Sequence, residues 1–308
     1  MTPFWCLLIF ASSIRRFAFG RGPSSVVNEI FDLVNTIVIS AALFATIPIA
    51  AFVYTKLLTY KPYAKNFSVA LIVLNGTSEI LSCVTYIFVF QLTSFAFMHR
   101  FYAYIIDKNL GNLIRTFDYF FNGVGFHTAF FVAMNRLRTI LFFERRGSDA
   151  IFFIASVVLS LALTSLRIFD LYFSSNQFYM ETDHGFGPVY FPMIETYNKG
   201  FRTICDVEII VVTGMTFGAN ALLAIVLIKK RKHIESSDQS RFRAEEGLII
   251  TSCVLYVFYT LFVLNSAGGR YFNIAFCGYA QFLFLGLSSM TPFWCLIIFS
   301  SSIRRFAF

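Results

Sequence analysis

YFNIAFCGYAQFLFLGLSSMTPFWCLIIFSSSI, residues 271–303, runs for 33 positions without a charge and then stops at Arg304-Arg305. About 20 apolar residues cross ~30 Å of hydrocarbon as a helix, so this stretch holds one membrane span with both interfaces. Working outward, Gly247–Gly269 and Leu33–Thr55 are each 23 uncharged residues and Ile209–Ile228 is 20. Tyr119–Asn135 and Ala150–Leu166 are 17 each with apolar flanks, and the stretch from Phe67 to Leu92 is broken only by Glu79. The reading is an all-α membrane protein, a seven-transmembrane helix bundle. Its spans are expected at about 33–55, 67–92, 116–135, 150–171, 207–228, 247–267 and 273–299.

The whole composition agrees with that reading. Hydrophobic residues make up 57% of the 308 and charged residues 14%, where soluble domains carry about 25% charged. Too few charges remain to cover so much apolar side chain in water. The net charge of +8 suggests nucleic acid at first sight. The cations, however, fall in short clusters between apolar runs, as they do in loops beside membrane spans. Nucleic acid is therefore no expected partner, and the lipid bilayer is one.

Cation placement also gives an orientation. The loops after spans 1, 3 and 5 and the C-terminal end hold fifteen Lys and Arg against seven on the opposite side, leaving aside residues 1–21. Cytoplasmic loops carry the excess, so the N-terminal side is expected outside and the C-terminus in the cytoplasm. The longest cytoplasmic connection is Lys229–Glu246, and the outer loop Ser174–Cys205 is the only place with room for separate structure. The six cysteines show no CxxC or Cys/His spacing, so no metal site is expected. Cys83, Cys253 and Cys295 lie in apolar runs as core thiols, while Cys205 and Cys277 are placed where a bridge can be imagined from position alone.

Residues 1–19, MTPFWCLLIFASSIRRFAF, recur as 290–308, MTPFWCLIIFSSSIRRFAF, with 17 of 19 positions identical. The second copy is the inner half of span 7. The first is too short to span, and its arginines follow the apolar stretch instead of preceding it as in a signal peptide. Residues 1–21 are expected to be a fused tail from a tandem paralogue, an artefact of the gene model, with a short interfacial segment as the alternative. Residues 22–308 are expected to form the seven-span domain.

No Walker loop, HExxH, GxSxG or dinucleotide-binding glycine pattern is present, so no enzyme, catalytic residue or cofactor is expected. A retinal pigment needs a buried lysine for its Schiff base, and the lysines end at Lys232, before spans 6 and 7.

Polar groups inside spans are the functional candidates. Glu79 and Asn75, one turn apart on span 2, can form a cation or proton site whose occupancy differs between states; a neutral, hydrogen-bonded Glu is the alternative. Asn135-Arg136 closes span 3, where Arg136 can pair in a resting state and release on activation, or simply reach out to lipid headgroups. Arg138 favours the anchoring role. Pro292 removes a backbone hydrogen bond in span 7 and is a candidate hinge. Asp118, with Asn122 a turn on, can meet a ligand's polar group or face solvent near the outer interface. His127 reads as a satisfied core residue. Lys229, Lys230, Arg231, Lys232, Arg241 and Arg243, with Arg138, make a basic cytoplasmic face.

The Asn135-Arg136 pair in AMNRLRTI and the span-7 ending PFWCLIIFSSSIRR resemble the nematode serpentine chemoreceptors, of the gamma class and its superfamily, over residues 29–308. The resemblance implies a chemosensory G-protein-coupled receptor in the plasma membrane of a sensory cilium. Its implied partners are a small-molecule ligand from outside and a heterotrimeric G protein within. The chain departs from the rhodopsin-like pattern in having Asn-Arg for an Asp-Arg-Tyr triplet, no NPxxY, and no cysteine between Val84 and Arg202. The bridge from the top of span 3 to the next outer loop therefore cannot form. The competing class is a small-solute transporter or channel, which would show paired broken helices in two related halves.

Overall fold

The computed structural model describes residues 23–59, 67–92, 98–108, 110–141, 149–173, 176–183, 187–194, 199–231, 250, 253–265 and 275–299. The repeat at residues 1–21 lies outside these, as do Lys232, Arg241 and Arg243 and the side chains of Lys230, Arg231, Cys205 and Cys277. Among the described residues the helices are α1 (Pro23–Thr59), α2 (Phe67–Tyr86), α3 (His99–Asp107), α4 (Gly111–Leu141), α5 (Asp149–Phe173), α6 (Lys199–Arg231) and α8 (Ala275–Phe299). The helix Cys253–Asn265 is α7. Spans 1 to 7 of the sequence correspond to α1, α2, α4, α5, α6, α7 and α8, and α3 is an additional short helix.

The bundle is organised around α4, which lies against α2, α5 and α6, while α8 closes against α1 and α2. Four helices, α1, α2, α5 and α6, contain windows long and apolar enough to cross a membrane. Large apolar side chains such as Phe44, Ile151, Val158 and Ile210 stay exposed on the bundle. In a bilayer these face lipid, which costs nothing, whereas the polar groups must turn inward to find partners. The main core joins α1, α2 and α8 through Leu43, Leu57, Leu71, Cys83, Phe282 and Phe293. Trp294 Nε1 donates to Thr46 Oγ1 at 3.2 Å, tying α8 to α1.

Three features depart from the simplest reading of the sequence. First, the loop expected over Ser174–Cys205 is shorter, because α6 already begins at Lys199. Charges end an apolar count, but a helix continues beyond the hydrocarbon as long as its own backbone bonds are satisfied. Second, that loop carries an antiparallel hairpin, β1 (Asn176–Asp183) with β2 (Gly187–Ile194), in a register that sets Asp183 opposite Gly187. It rests on α3 and α4. Third, α2 ends in a π-helical turn, Ile87–Gln91. Such a turn breaks the regular carbonyl pairing. The hydroxyl of Tyr102 on α3 donates to the carbonyl of Phe88 in that turn. Tyr102 and Ile105 pack with Val89 in a small apolar cluster of their own, so α3 is pinned to the end of α2 without any disulfide.

Candidate functional site

The polar centre of the bundle lies between α2, α4 and α8. Asn75 Nδ2 donates to the Gly125 carbonyl at 2.8 Å and to Thr128 Oγ1 at 3.2 Å. Thr128 Oγ1 in turn donates to the carbonyls of Val124 and Gly125. One turn along α2, Glu79 is buried at 2% exposure. Its carboxylate occupies the space beside Gly125, where any Cβ would collide with Oε1. Glu79 Oε1 and the neighbouring Ser82 Oγ have no hydrogen-bond partner among the described residues. Across from them Ser288 and Ser289 of α8 are fully buried, both bonding back to the Leu285 carbonyl. The structure therefore brings Asn75 and Glu79 together. An isolated carboxylate at this depth carries a large desolvation cost.

Pro292 lies one turn further along α8. Its amide has no N–H, so the Ser288 carbonyl loses its intrahelical partner. The proline packs beside Gly76 of α2, where the Tyr54 hydroxyl also sits, buried and without a partner among the described residues. The hinge candidate and the acid thus share one interhelical region.

Towards the end of α4, Asn135 and Arg136 are buried at 5% and 3% exposure. An arginine reaching out to headgroups would be exposed, and Arg136 is not. Arg138, by contrast, pairs with Asp149 at the start of α5 and lies over the Phe152 ring at 4.9 Å. Lys229 is exposed near the end of α6.

Nearer the hairpin end, Asp118 is buried at 7% exposure and so does not face solvent. Thr85 Oγ1 donates to its Oδ1 at 3.3 Å, and buried Arg115 stands one turn before it, 5.9 Å from the Tyr119 ring. Asn122 is half-buried one turn further on.

His127 is buried at 1% exposure between three helices. Its Nδ1 is 3.3 Å from Thr164 Oγ1 of α5, and its Nε2 hydrogen-bonds the Glu208 carboxylate of α6. It is a satisfied core residue, but its partner is one that counting charges misses. Glu208 had served only to mark where an apolar run starts. Two lone titratable groups at similar depth in different spans are affordable when they meet, and that was the available signal.

No protein-family model matches the chain, and no curated protein sequence matches it. Among solved structures, the chain is similar to the crystal structure of squid rhodopsin, with a TM-score of 0.65 and 11% sequence identity. The match covers 94% of this chain and 86% of that one. At that identity the likeness shows the fold, a rhodopsin-like seven-helix bundle, and four of its helices are long and apolar enough to cross a membrane.

Proposed function

We propose that the chain is a G-protein-coupled chemosensory receptor, with its hairpin end outside the plasma membrane and its C-terminus in the cytoplasm. A small molecule enters from outside among α4, α6, α7 and α8, with Asp118 and Asn122 as its polar contacts. Binding favours one helix arrangement over another. Glu79 and Asn75 hold a proton or cation whose occupancy differs between the two arrangements, and Pro292 is the hinge about which α8 adjusts. Asn135 and Arg136 form the switch at the inner end of α4. A heterotrimeric G protein then meets the basic face of Arg138, Lys229, Lys230, Arg231, Lys232, Arg241 and Arg243.

The observation that carries this reading is the burial of Arg136 at the end of the central helix of a bundle shaped like rhodopsin. An arginine kept from water and headgroups is costly unless its partners hold it, and such a group can be released by a change in helix packing. The experiment uses the first agonist found in a ligand screen with a calcium or cyclic-nucleotide reporter. Arg136→Ala should abolish agonist-evoked G-protein activation while the protein still reaches the cell surface. Unchanged activation in that variant would remove Arg136 from the mechanism.

A further inference from the structure

A second polar feature lies about 12 Å deeper along α4 than Asp118, by helix rise from position 118 to 126. A partly open cleft separates α4, α6 and α7, lined by Phe126, Ala129, Thr213, Leu255, Tyr256 and Tyr259. Its walls are apolar apart from hydroxyl and amide groups, and two of the hydroxyls are unspoken for. Tyr259 is 7% exposed, its ring fixed edge-on to Phe126 at 5.9 Å between centroids. Its hydroxyl is buried and has no partner among the described residues, and neither has Thr213 Oγ1. The second orphan differs from six described threonines and matches Thr260, whose Oγ1 also lacks a partner among the described residues. Thr46, Thr85, Thr128, Thr139, Thr216 and Thr291 each donate to the carbonyl four residues back. Thr213 lines the cleft without such a bond, whereas Thr216 lines it with one. A buried hydroxyl left unpaired is penalised, so a pair of them at one cleft marks a place built for an oxygen or nitrogen from elsewhere.

The surroundings decide what kind. The carboxylate nearest along α6, Glu208, stands five residues before Thr213 and is engaged by His127. No charged residue lines the cleft, so a charged ligand would lose its hydration with nothing to replace it. The cleft has a volume of about 10 Å³, room for one water-sized group. The rest of a ligand would lie along the open side, between side chains that favour apolar contact. We infer that this cleft binds an uncharged, mainly apolar molecule through one neutral oxygen, a carbonyl, ether or alcohol, hydrogen-bonded by Tyr259 and Thr213. It is a site separate from the Asp118 contact, and binding there does not require G-protein coupling.

The test uses the full chain in lipid nanodiscs, with empty nanodiscs subtracted, and three probes of one length: 2-nonanone, nonane and nonylammonium. Wild type should bind 2-nonanone saturably, and Tyr259→Phe, which keeps the ring and loses only the hydroxyl, should weaken it about tenfold. Thr213→Val, similar in shape, should weaken it in the same direction and serves if Tyr259→Phe does not fold. Nonane should be indifferent to both substitutions and nonylammonium should not saturate. Tightest binding of nonylammonium, or 2-nonanone binding unaffected by either substitution, would overturn the proposal. So would saturable binding by none of the three, which would leave the cleft to a lone water. Binding without any later G-protein response would count against the receptor reading and leave this site standing.

Discussion

His127 and Glu208 show how much of this protein's chemistry is fixed by single side chains finding each other across helices. Each would be expensive alone at that depth, and Thr164 completes the set on the other side of the imidazole. Removing the carboxylate with Glu208→Ala should lower stability by about 1–3 kcal/mol, the cost of a buried polar group left unpaired. Glu208→Gln, which keeps a hydrogen-bonding group, should lower it less; thermal unfolding in nanodiscs compares the two. Gly125 makes a complementary point. Gly125→Ala drives a methyl group into the Glu79 carboxylate and should cost about 1–3 kcal/mol as overpacking does. Gly214→Ala and Gly218→Ala, whose added Cβ would meet nothing within 4 Å, should instead be neutral or gain up to about 1 kcal/mol of helix propensity. At this scale the sequence was only partly legible. Glu79 with Asn75 could be read from i, i+4 spacing on one helix. The meetings of His127 with Glu208 and of Asp118 with Thr85 depend on which faces of different helices oppose, and no spacing along one strand of sequence encodes that.

Among the elements, the seven spanning helices were legible because charge-free length is a direct physical requirement of the bilayer. The helix α3 was not, since HRFYAYIID at residues 99–107 mixes charge and apolar residues too closely for a span count. Nor was the π-helical turn, which depends on a partner 14 residues away for its carbonyl. That dependence gives a prediction. Tyr102→Phe leaves the Phe88 carbonyl without its donor, at a local cost of about 1–3 kcal/mol. Amide exchange should speed up in residues 87–91 and 99–107 and stay unchanged in α5, which touches neither. Equal protection in both proteins would mean that the apolar cluster of Val89, Tyr102 and Ile105 alone holds α3 in place. The hairpin rests on α3 and α4, so this contact also stands in for the disulfide that the absence of cysteine between Val84 and Arg202 rules out.

For the whole molecule, composition excluded a soluble fold and the charge-free runs gave seven crossings, and the resemblance in shape to squid rhodopsin rests on the same bundle. Orientation is a separate matter, carried by fifteen cations against seven. Crossing number sets relative sides by parity: an even number leaves two segments on one face of the bilayer, an odd number on opposite faces. From the hairpin, one crossing (α6) leads to the segment of residues 232–249 and three (α6, α7, α8) lead to the C-terminal end. The most direct measurement places epitope tags after Asp183, within residues 232–249 and after Phe308, one per protein, and probes intact and permeabilised cells. The account predicts antibody access to the first tag in intact cells and to the other two only after permeabilisation. A tag after Asp183 on the same face as the tag within 232–249 would contradict it.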